Sequence, residues 1–217
     1  MKKYETIAFD LDGTLTNPER GLLSAFVYAF KKLGVDYGTR ESLKRFIGPP
    51  LYDEWQREFG WTFDEASEAV EIFREYYNVY GWWDNEVYEG IKEMLKRLKA
   101  SGKKLVVATS KPEITAKKVL SLFELDGYFD YIAGASMNGS EDLKWQILKR
   151  ALDKVSADNE TSILVGDRKF DAEGAKIVGI DSLGVLWGHG SEEELLASGV
   201  NYVVSTPEEL LGLLDSQ

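Results

Sequence analysis

Two aspartates that lie two residues apart, Asp10 and Asp12, are the side chains of this sequence best suited to chemistry. They follow a short apolar run, residues 7–9, and precede a Gly-Thr pair. A short apolar run bounded by turn residues is typical of a buried parallel strand, and ligands of open α/β sheets bind at the carboxyl ends of such strands. Because neighbouring carboxylates repel each other, the pair predicts a bound divalent cation, and oxygen ligands favour Mg²⁺.

Polar residues also follow two later apolar runs. Thr109 and Ser110 end one run, Asp167 ends another, and Asp171 stands four residues further along the chain. Lys144 lies early in a predicted helix and adds a positive charge. A nucleophile, a proton shuttle, a cation and donors for phosphoryl oxygens are the parts that phosphoryl transfer requires. We therefore expect these side chains to meet at one edge of a sheet.

The rest of the sequence predicts an α/β core, a Rossmann-like parallel sheet, with an inserted all-helical cap. Residues 16–83 show only helical periodicity, which indicates the cap, and residues 1–15 and 84–217 form the core. Apolar runs alternate with helical periodicity after residue 88, which predicts parallel strands with right-handed crossovers. After the strand that precedes Asp10, the predicted strands cover residues 104–108, 131–133, 162–165 and 182–186.

The hydroxyl of Ser110 has a structural alternative to binding phosphate. Ser110 and Glu113 have the spacing of a capping box, and a helix cap would occupy the hydroxyl. We therefore prefer Thr109 as the phosphate donor, although both residues stay open as candidates. Thr62 and Glu65 predict a second capping box at the start of a cap helix.

Composition narrows the classes of partner. The chain has 26 basic and 37 acidic residues and a net charge of −11, which argues against a nucleic-acid polymer. It has no cysteine, so thiolate zinc sites and cysteine nucleophiles are excluded, and its single histidine excludes a histidine cluster. No run approaches the ~18 apolar residues of a membrane span. We expect a soluble cytoplasmic protein that acts on a small molecule and does not bind membranes.

The motifs resemble those of the haloacid dehalogenase-like phosphatases. Residues 10–16, Asp-Leu-Asp-Gly-Thr-Leu-Thr, resemble the first motif of that family, and residues 166–171 resemble its fourth motif, GDxxxD. Thr109 or Ser110 resembles the second motif and Lys144 the third. Residues 47–51 and 108–112 also resemble the phosphoglycolate phosphatase and 5′-nucleotidase-like branch, which carries a small helical cap.

The resemblance implies a Mg²⁺-dependent phosphomonoester hydrolase. Asp10 would attack phosphorus and form an aspartyl-phosphate, and Asp12 would act as acid and then as base. Mg²⁺ would be held by Asp10, by the backbone carbonyl of Asp12 and by Asp167, with Asp171 binding directly or through water. The remaining role is phosphate binding, which the resemblance gives to Thr109, Ser110 and Lys144, with Thr14 fixing the turn that holds Asp12.

Substrate choice is expected to come from the cap. Ile47, Gly48 and Pro49 form the predicted specificity loop, and Arg45 beside it would bind a second anionic group. A 5′-nucleotidase or a pyrophosphatase of the same fold is an alternative to a phosphoglycolate phosphatase, and a phosphomutase shares the core. A phospho-acceptor receiver domain is the alternative from another class, although it lacks an acid two residues after its acceptor. Oligomeric state stays open.

Overall fold

The chain divides into two compact units in a computed structural model that describes residues 2–48, 51–136 and 143–215. The larger unit comprises residues 1–17 and 87–217, and the smaller unit comprises residues 18–86. The boundaries expected from the sequence, after residues 15 and 83, lie a few residues before those of the structure, after residues 17 and 86.

Six parallel strands form the sheet of the larger unit, in the order β5-β4-β1-β6-β7-β8 once the strands are numbered along the chain. The eight strands are β1 (Thr6–Phe9), β2 (Thr16–Asn17), β3 (Glu86–Val87), β4 (Lys104–Pro112), β5 (Tyr131–Ala135), β6 (Ser162–Gly166), β7 (Asp181–Val185) and β8 (Tyr202–Val204). Every neighbouring pair in the six-stranded sheet is parallel, and β2 pairs with β3 in a separate sheet. The predicted α/β class is therefore confirmed.

Six α-helices accompany this sheet in the part of the larger unit that the structure describes. The helix Ile91–Ala100, for example, turns Ile91, Met94, Leu95 and Leu98 inward at steps of three and four residues, which buries one apolar stripe. Numbered after the three helices of the smaller unit, they are α4 (Ile91–Ala100), α5 (Glu113–Leu122), α6 (Lys144–Lys154), α7 (Lys169–Val178), α8 (Glu192–Ser198) and α9 (Pro207–Asp215).

Strand β1 lies between β4 and β6, and this position determines where the polar strand ends meet. Phe9, its last residue, pairs in register with Val107 of β4 and Val165 of β6. The chain proceeds from β1 through β4 to β5 on one side and through β6, β7 and β8 on the other. Such a change of direction opens a crevice at the carboxyl ends of the strands, and Asp10 lies at this edge.

Strand β4 is longer and less regular than the predicted run of residues 104–108. Thr109 pairs with Gly134 and Pro112 with Ala135, so the register of β4 against β5 shifts between Thr109 and Pro112. An irregularity of this kind redirects side chains, as β-bulges do. Helix α5 starts directly afterwards, with Pro112 at its N-cap and no side-chain cap. The predicted Ser110–Glu113 capping box is therefore wrong, because the strand continues through Ser110.

The smaller unit is built around an aromatic core. Phe26, Phe30, Trp55 and Phe73 lie within a buried cluster, and the rings of Phe26 and Phe73 stack with centroids 5.2 Å apart. Its helices are α1 (Glu19–Leu33), a 3₁₀ helix (Glu41–Phe46), α2 (Leu51–Phe59), α3 (Phe63–Tyr76) and a π-helical turn (Tyr77–Gly81).

One capping prediction for this unit is confirmed, and several short strands of the chain were missed. Thr62 and Glu65 form the predicted box, because the Thr62 N–H donates to the Glu65 carboxylate at 2.8 Å and Glu65 N–H donates to Thr62 Oγ1 at 3.3 Å. Strands β2, β3 and β8 have two or three residues each, which is too short for alternation to indicate a strand.

Within the described residues, no helix combines the length and apolar character that crossing a membrane requires.

Shortening a buried side chain of strand β6 should destabilise the larger unit. Leu164 on β6 is fully buried, so Leu164→Ala should lower the free energy of unfolding by about 2–5 kcal/mol, measured by urea denaturation. Ile177→Ala is the control, since Ile177 is 63% exposed, and its effect should stay within about 0.5 kcal/mol. Equal effects of the two substitutions would contradict the assignment of β6 to the core.

Candidate active site

Three carboxylates converge at the edge of the sheet. Asp10 follows β1, Asp167 follows β6, and Asp171 lies in the first turn of α7. One oxygen from each lies within 4.8 Å of one oxygen from each of the others. Asp167 and Asp171 are buried, at 1% and 4% exposure. The spacing and the oxygen donors suit a hard divalent cation.

Lys144, the first residue of α6, adds a positive charge to this cluster. Its Nζ lies 3.0 Å from Asp10 Oδ1 and 2.7 Å from Asp171 Oδ1, and its side chain is 6% exposed. Burial alone would lower the pKa of Lys144, but the carboxylates of Asp10 and Asp171 more than offset this and raise it. The lysine is therefore charged, and it offsets part of the repulsion among the three carboxylates.

The repulsion that Lys144 leaves uncompensated affects the pKa of Asp167. Burial, together with the carboxylates of Asp171 and Asp10, raises the pKa of Asp167 to about 8, although the His189 N–H donates to its Oδ2 at 2.8 Å. Burial also raises the pKa of Asp171 to about 6, with Lys144 opposing the rise and Asp10 adding to it. A cation bound here would remove the repulsion that holds protons on these groups, so the residues fit a metal site.

Three glycines allow the backbone to approach Asp167 closely. Gly13 has a φ of +84°, and a Cβ at this position would lie 2.1 Å from Asp167 Oδ2. A Cβ on Gly188 would lie 2.4 Å from Asp167 Cβ, and one on Gly190 would lie 1.9 Å from the Asp167 carbonyl oxygen. Real Cβ atoms do not approach other atoms so closely, so these positions exclude any side chain. The loop after β7 therefore forms a wall of the site, which the sequence analysis did not identify.

The predicted phosphate donors differ in accessibility. Thr109 is buried, and its Oγ1 accepts a hydrogen bond of 3.3 Å from the Lys111 N–H, whereas Ser110 is exposed. Thr14 is buried and its Oγ1 donates to Asp167 Oδ1 at 3.4 Å. The carbonyl of Thr14 accepts from Trp187 Nε1 at 2.9 Å. These bonds tie the first motif to Asp167 and to the loop after β7.

Asp12 lies outside the carboxylate cluster and has its own partner. Its Oδ2 is 2.6 Å from the Nζ of Lys111, whose side chain is 4% exposed. The predicted metal contact of Asp12 concerns its backbone carbonyl and stays a prediction. The sequence analysis gave Lys111 no role, and the signal that could have found it is its position among the polar residues that end the second strand.

The other predicted ligand, Asp171, also serves its helix. Its Oδ2 accepts from the Arg168 N–H at 3.1 Å, the bond expected of an acidic residue at the third position of a helix. Its other oxygen accepts from Lys144. Both interpretations of Asp171, as a helix cap and as a member of the metal-binding set, are therefore compatible with the geometry.

The proposed specificity residues belong to the smaller unit. Arg45 pairs with Glu58 at 2.7 Å and donates to the Ser42 carbonyl at 2.6 Å, so its charge is already compensated. Ile47 is 1% exposed and packs in the aromatic cluster, and its place in the specificity loop stays a prediction. Gly48 is exposed with a φ of +106°, and Pro49 lies outside the described residues.

Comparison with known proteins identifies the family. Residues 7–185 match the family of haloacid dehalogenase-like hydrolases. The 5′-nucleotidase of Pseudomonas aeruginosa is 36% identical, with 99% of this chain and 97% of that protein covered. The phosphoglycolate phosphatase of Aquifex aeolicus is 30% identical, with 97% and 96% covered. The tyrosine-protein kinase PtkA of Mycobacterium tuberculosis is 38% identical over 86% of this chain, which spans 63% of that protein.

A solved structure agrees with these matches. The crystal structure of a predicted phosphatase from Clostridium acetobutylicum superposes with a TM-score of 0.94 at 36% identity, covering 97% of this chain and 98% of that one. The chain therefore belongs to the haloacid dehalogenase-like hydrolases. The predicted family, the fold class and the assignment to its phosphatases are confirmed.

The close approach of Gly13 to Asp167 makes a testable prediction. We expect Mg²⁺ to raise the melting temperature of the wild type, because a cation that binds the folded state stabilises it. Gly13→Ala would displace the Asp167 carboxylate, so this rise should be lost, measured by thermal denaturation with and without the cation. Gly102→Ala is the matched control, because Gly102 has a φ of +81° but a Cβ added there would meet nothing within 4 Å. An equal response to Mg²⁺ in both variants would contradict the role of Gly13.

The raised pKa of Asp167 predicts how stability depends on pH. Its folded-state value of about 8 exceeds the unfolded value of about 3.9, so the folded state binds the proton more tightly. The resulting stability is fully present below pH ~4 and is lost as pH rises through ~8. In EDTA, urea denaturation should show this decline in the wild type, and Asp167→Asn should reduce it. The control Asp153→Asn, at an exposed residue, should leave the decline unchanged. An unchanged decline in Asp167→Asn as well would contradict the raised pKa of Asp167.

Proposed function

We propose that this chain is a Mg²⁺-dependent phosphomonoester hydrolase that acts through an aspartyl-phosphate on Asp10. The observation that carries the proposal is the convergence of Asp10 with Asp167, Asp171 and Lys144. It supplies a carboxylate nucleophile, further oxygen ligands and a fixed positive charge at one point. Asp12 on the same turn supplies an acid and base.

In the first step, Asp10 attacks phosphorus. Its Oδ1 accepts from the Leu11 N–H at 2.8 Å and lies 3.0 Å from Lys144 Nζ, which fixes the carboxylate and makes Oδ2 the attacking oxygen. The bond from Oδ2 to phosphorus forms while the bond from phosphorus to the ester oxygen breaks. Asp12 gives a proton to that oxygen, and the alcohol leaves.

In the second step, water releases the phosphoryl group. Asp12, now a carboxylate, takes a proton from the water as its oxygen bonds to phosphorus. The bond between phosphorus and Asp10 breaks, which frees inorganic phosphate and restores both aspartates. Each proton given in the first step is recovered in the second, so turnover requires no further acid or base.

The other predicted residues support these steps. Asp10, Asp167 and the carbonyl of Asp12 would hold Mg²⁺, with Asp171 binding directly or through water. When bound, the cation draws charge from the phosphoryl oxygens. Donors from Thr109, Ser110 and Lys144 would bind those oxygens. Preorganised charge of this kind is commonly the largest contribution to catalysis.

A small phosphorylated metabolite is the proposed substrate, with a phosphoglycolate-like compound as the first choice. The names of the relatives from Aquifex aeolicus and Pseudomonas aeruginosa support a phosphate monoester. A 5′-nucleotide or pyrophosphate is the alternative. The kinase activity named for PtkA is not carried over, because this chain spans 63% of that protein.

Phosphate release from a panel of esters tests the proposal. The panel contains 2-phosphoglycolate, 5′-nucleotides, sugar phosphates and pyrophosphate, each with Mg²⁺ and with EDTA. Release that requires Mg²⁺ and favours one compound is expected. Acid-labile phosphate that stays on the protein without turnover would instead favour the receiver-type alternative.

The nucleophile assignment gives a specific prediction. Asp10→Asn should abolish phosphate release and the acid-labile phosphoenzyme, since an amide oxygen is a poor nucleophile. Both are measured by rapid acid quench with a radiolabelled ester. Asp153→Asn, on an exposed face of α6, should retain wild-type activity. A phosphoenzyme that still forms in Asp10→Asn would place the nucleophile elsewhere.

A further inference from the structure

The two oxygens of Asp12 have different surroundings. Oδ2 is 2.6 Å from Lys111 Nζ, and the Lys111 side chain is 4% exposed. Oδ1 is buried and has no hydrogen-bond partner among the described residues. A buried carboxylate oxygen without a partner is costly, so the ion pair between Oδ2 and Lys111 is an important restraint on this carboxylate.

Lys111 reaches Asp12 because of the irregularity in β4. Lys111 lies between Thr109 and Pro112, where the register of β4 against β5 shifts, and its N–H donates to Thr109 Oγ1. Since β4 pairs directly with β1, a side chain redirected at this point lies next to the turn after β1. A regular strand would alternate its side chains without this redirection.

We propose that Lys111 is the positioning residue of Asp12. Its ammonium fixes the carboxylate of Asp12 beside the reacting groups, a role that rests on the proposed function. Asp12 would first give a proton to the ester oxygen as the phosphorus–oxygen bond of the ester breaks. The same carboxylate would then take a proton from the water that bonds to phosphorus. The lysine keeps its own proton throughout.

The principal rival is that Lys111 binds the phosphoryl group itself. The two roles affect different parts of the reaction. A phosphate-binding residue affects every ester alike, because all of them carry the same phosphoryl group. A residue that orients the acid matters most for a leaving group that must be protonated, and least for one that departs as a stable anion.

The test compares leaving groups in Lys111→Met, which keeps the length of the side chain and removes its charge. The parameter is kcat/KM, which covers the steps up to formation of the phosphoenzyme. For an alkyl phosphate it should fall about 100-fold, the scale of a misplaced catalytic group. For 2,4-dinitrophenyl phosphate, kcat/KM should fall by less than about 10-fold. A uniform fall for both esters, or no fall for either, would overturn the proposal.

Controls separate this role from a loss of folding. Lys149→Met, on an exposed face of α6, should leave both esters at wild-type rates, and circular dichroism should show that Lys111→Met is folded. If it is not, Lys111→Gln is used in the same comparison. In an Asp12→Asn background, Lys111→Met should no longer change the ratio between the two esters. A persisting change would show that Lys111 acts independently of Asp12.

The proposal and the function on which it rests fail in different ways. If the wild type hydrolyses neither ester in Mg²⁺, the proposed function fails. If the wild type hydrolyses both and Lys111→Met loses them equally, only the positioning role fails.

Discussion

Mutual repulsion among Asp10, Asp167 and Asp171 is the constraint on which the rest of the site depends. Buried like charges at such distances cannot all persist without compensation. Lys144 compensates part of the charge, and backbone N–H groups of Arg168 and His189 bind two of the carboxylates. The protein thus holds a cluster that remains short of positive charge. That shortage of positive charge makes the cluster suited to a divalent cation.

The sheet produces this arrangement through simple geometry. Parallel strands place their carboxyl ends at one edge, and β1 lies between the two strands that supply the other polar ends. Glycines then let the turn after β1 and the loop after β7 approach Asp167 from two sides. The helices contribute at their first turns, where Lys144 begins α6 and Asp171 caps α7.

Residues that carry chemistry at strand ends could be predicted from the sequence. The apolar run before Asp10 and the one before Asp167 each indicate a buried strand, and parallel pairing brings their ends together. Lys144 was proposed from its place early in a predicted helix, and the family resemblance gave it a phosphate-binding role. The sequence could not predict the pairing of Lys111 with Asp12, because the partners are 99 residues apart and meet through an irregular strand.

Local patterns misled where tertiary structure overrode them. Ser110 and Glu113 have the spacing of a capping box, yet β4 continues to Pro112 and the helix starts after it. A spacing rule describes only nearby residues, whereas strand pairing depends on distant ones. The same limit explains why the glycine-rich wall after β7 was missed.

A crystal structure of the protein with Mn²⁺ and beryllium fluoride would test the central claim most directly. Mn²⁺ gives an anomalous signal, and beryllium fluoride binds carboxylates as a mimic of an acyl phosphate. The account predicts an anomalous peak between Asp10 and Asp167, with the beryllium bound to Asp10. A peak at another place in the chain, or beryllium bound to a different carboxylate, would contradict it.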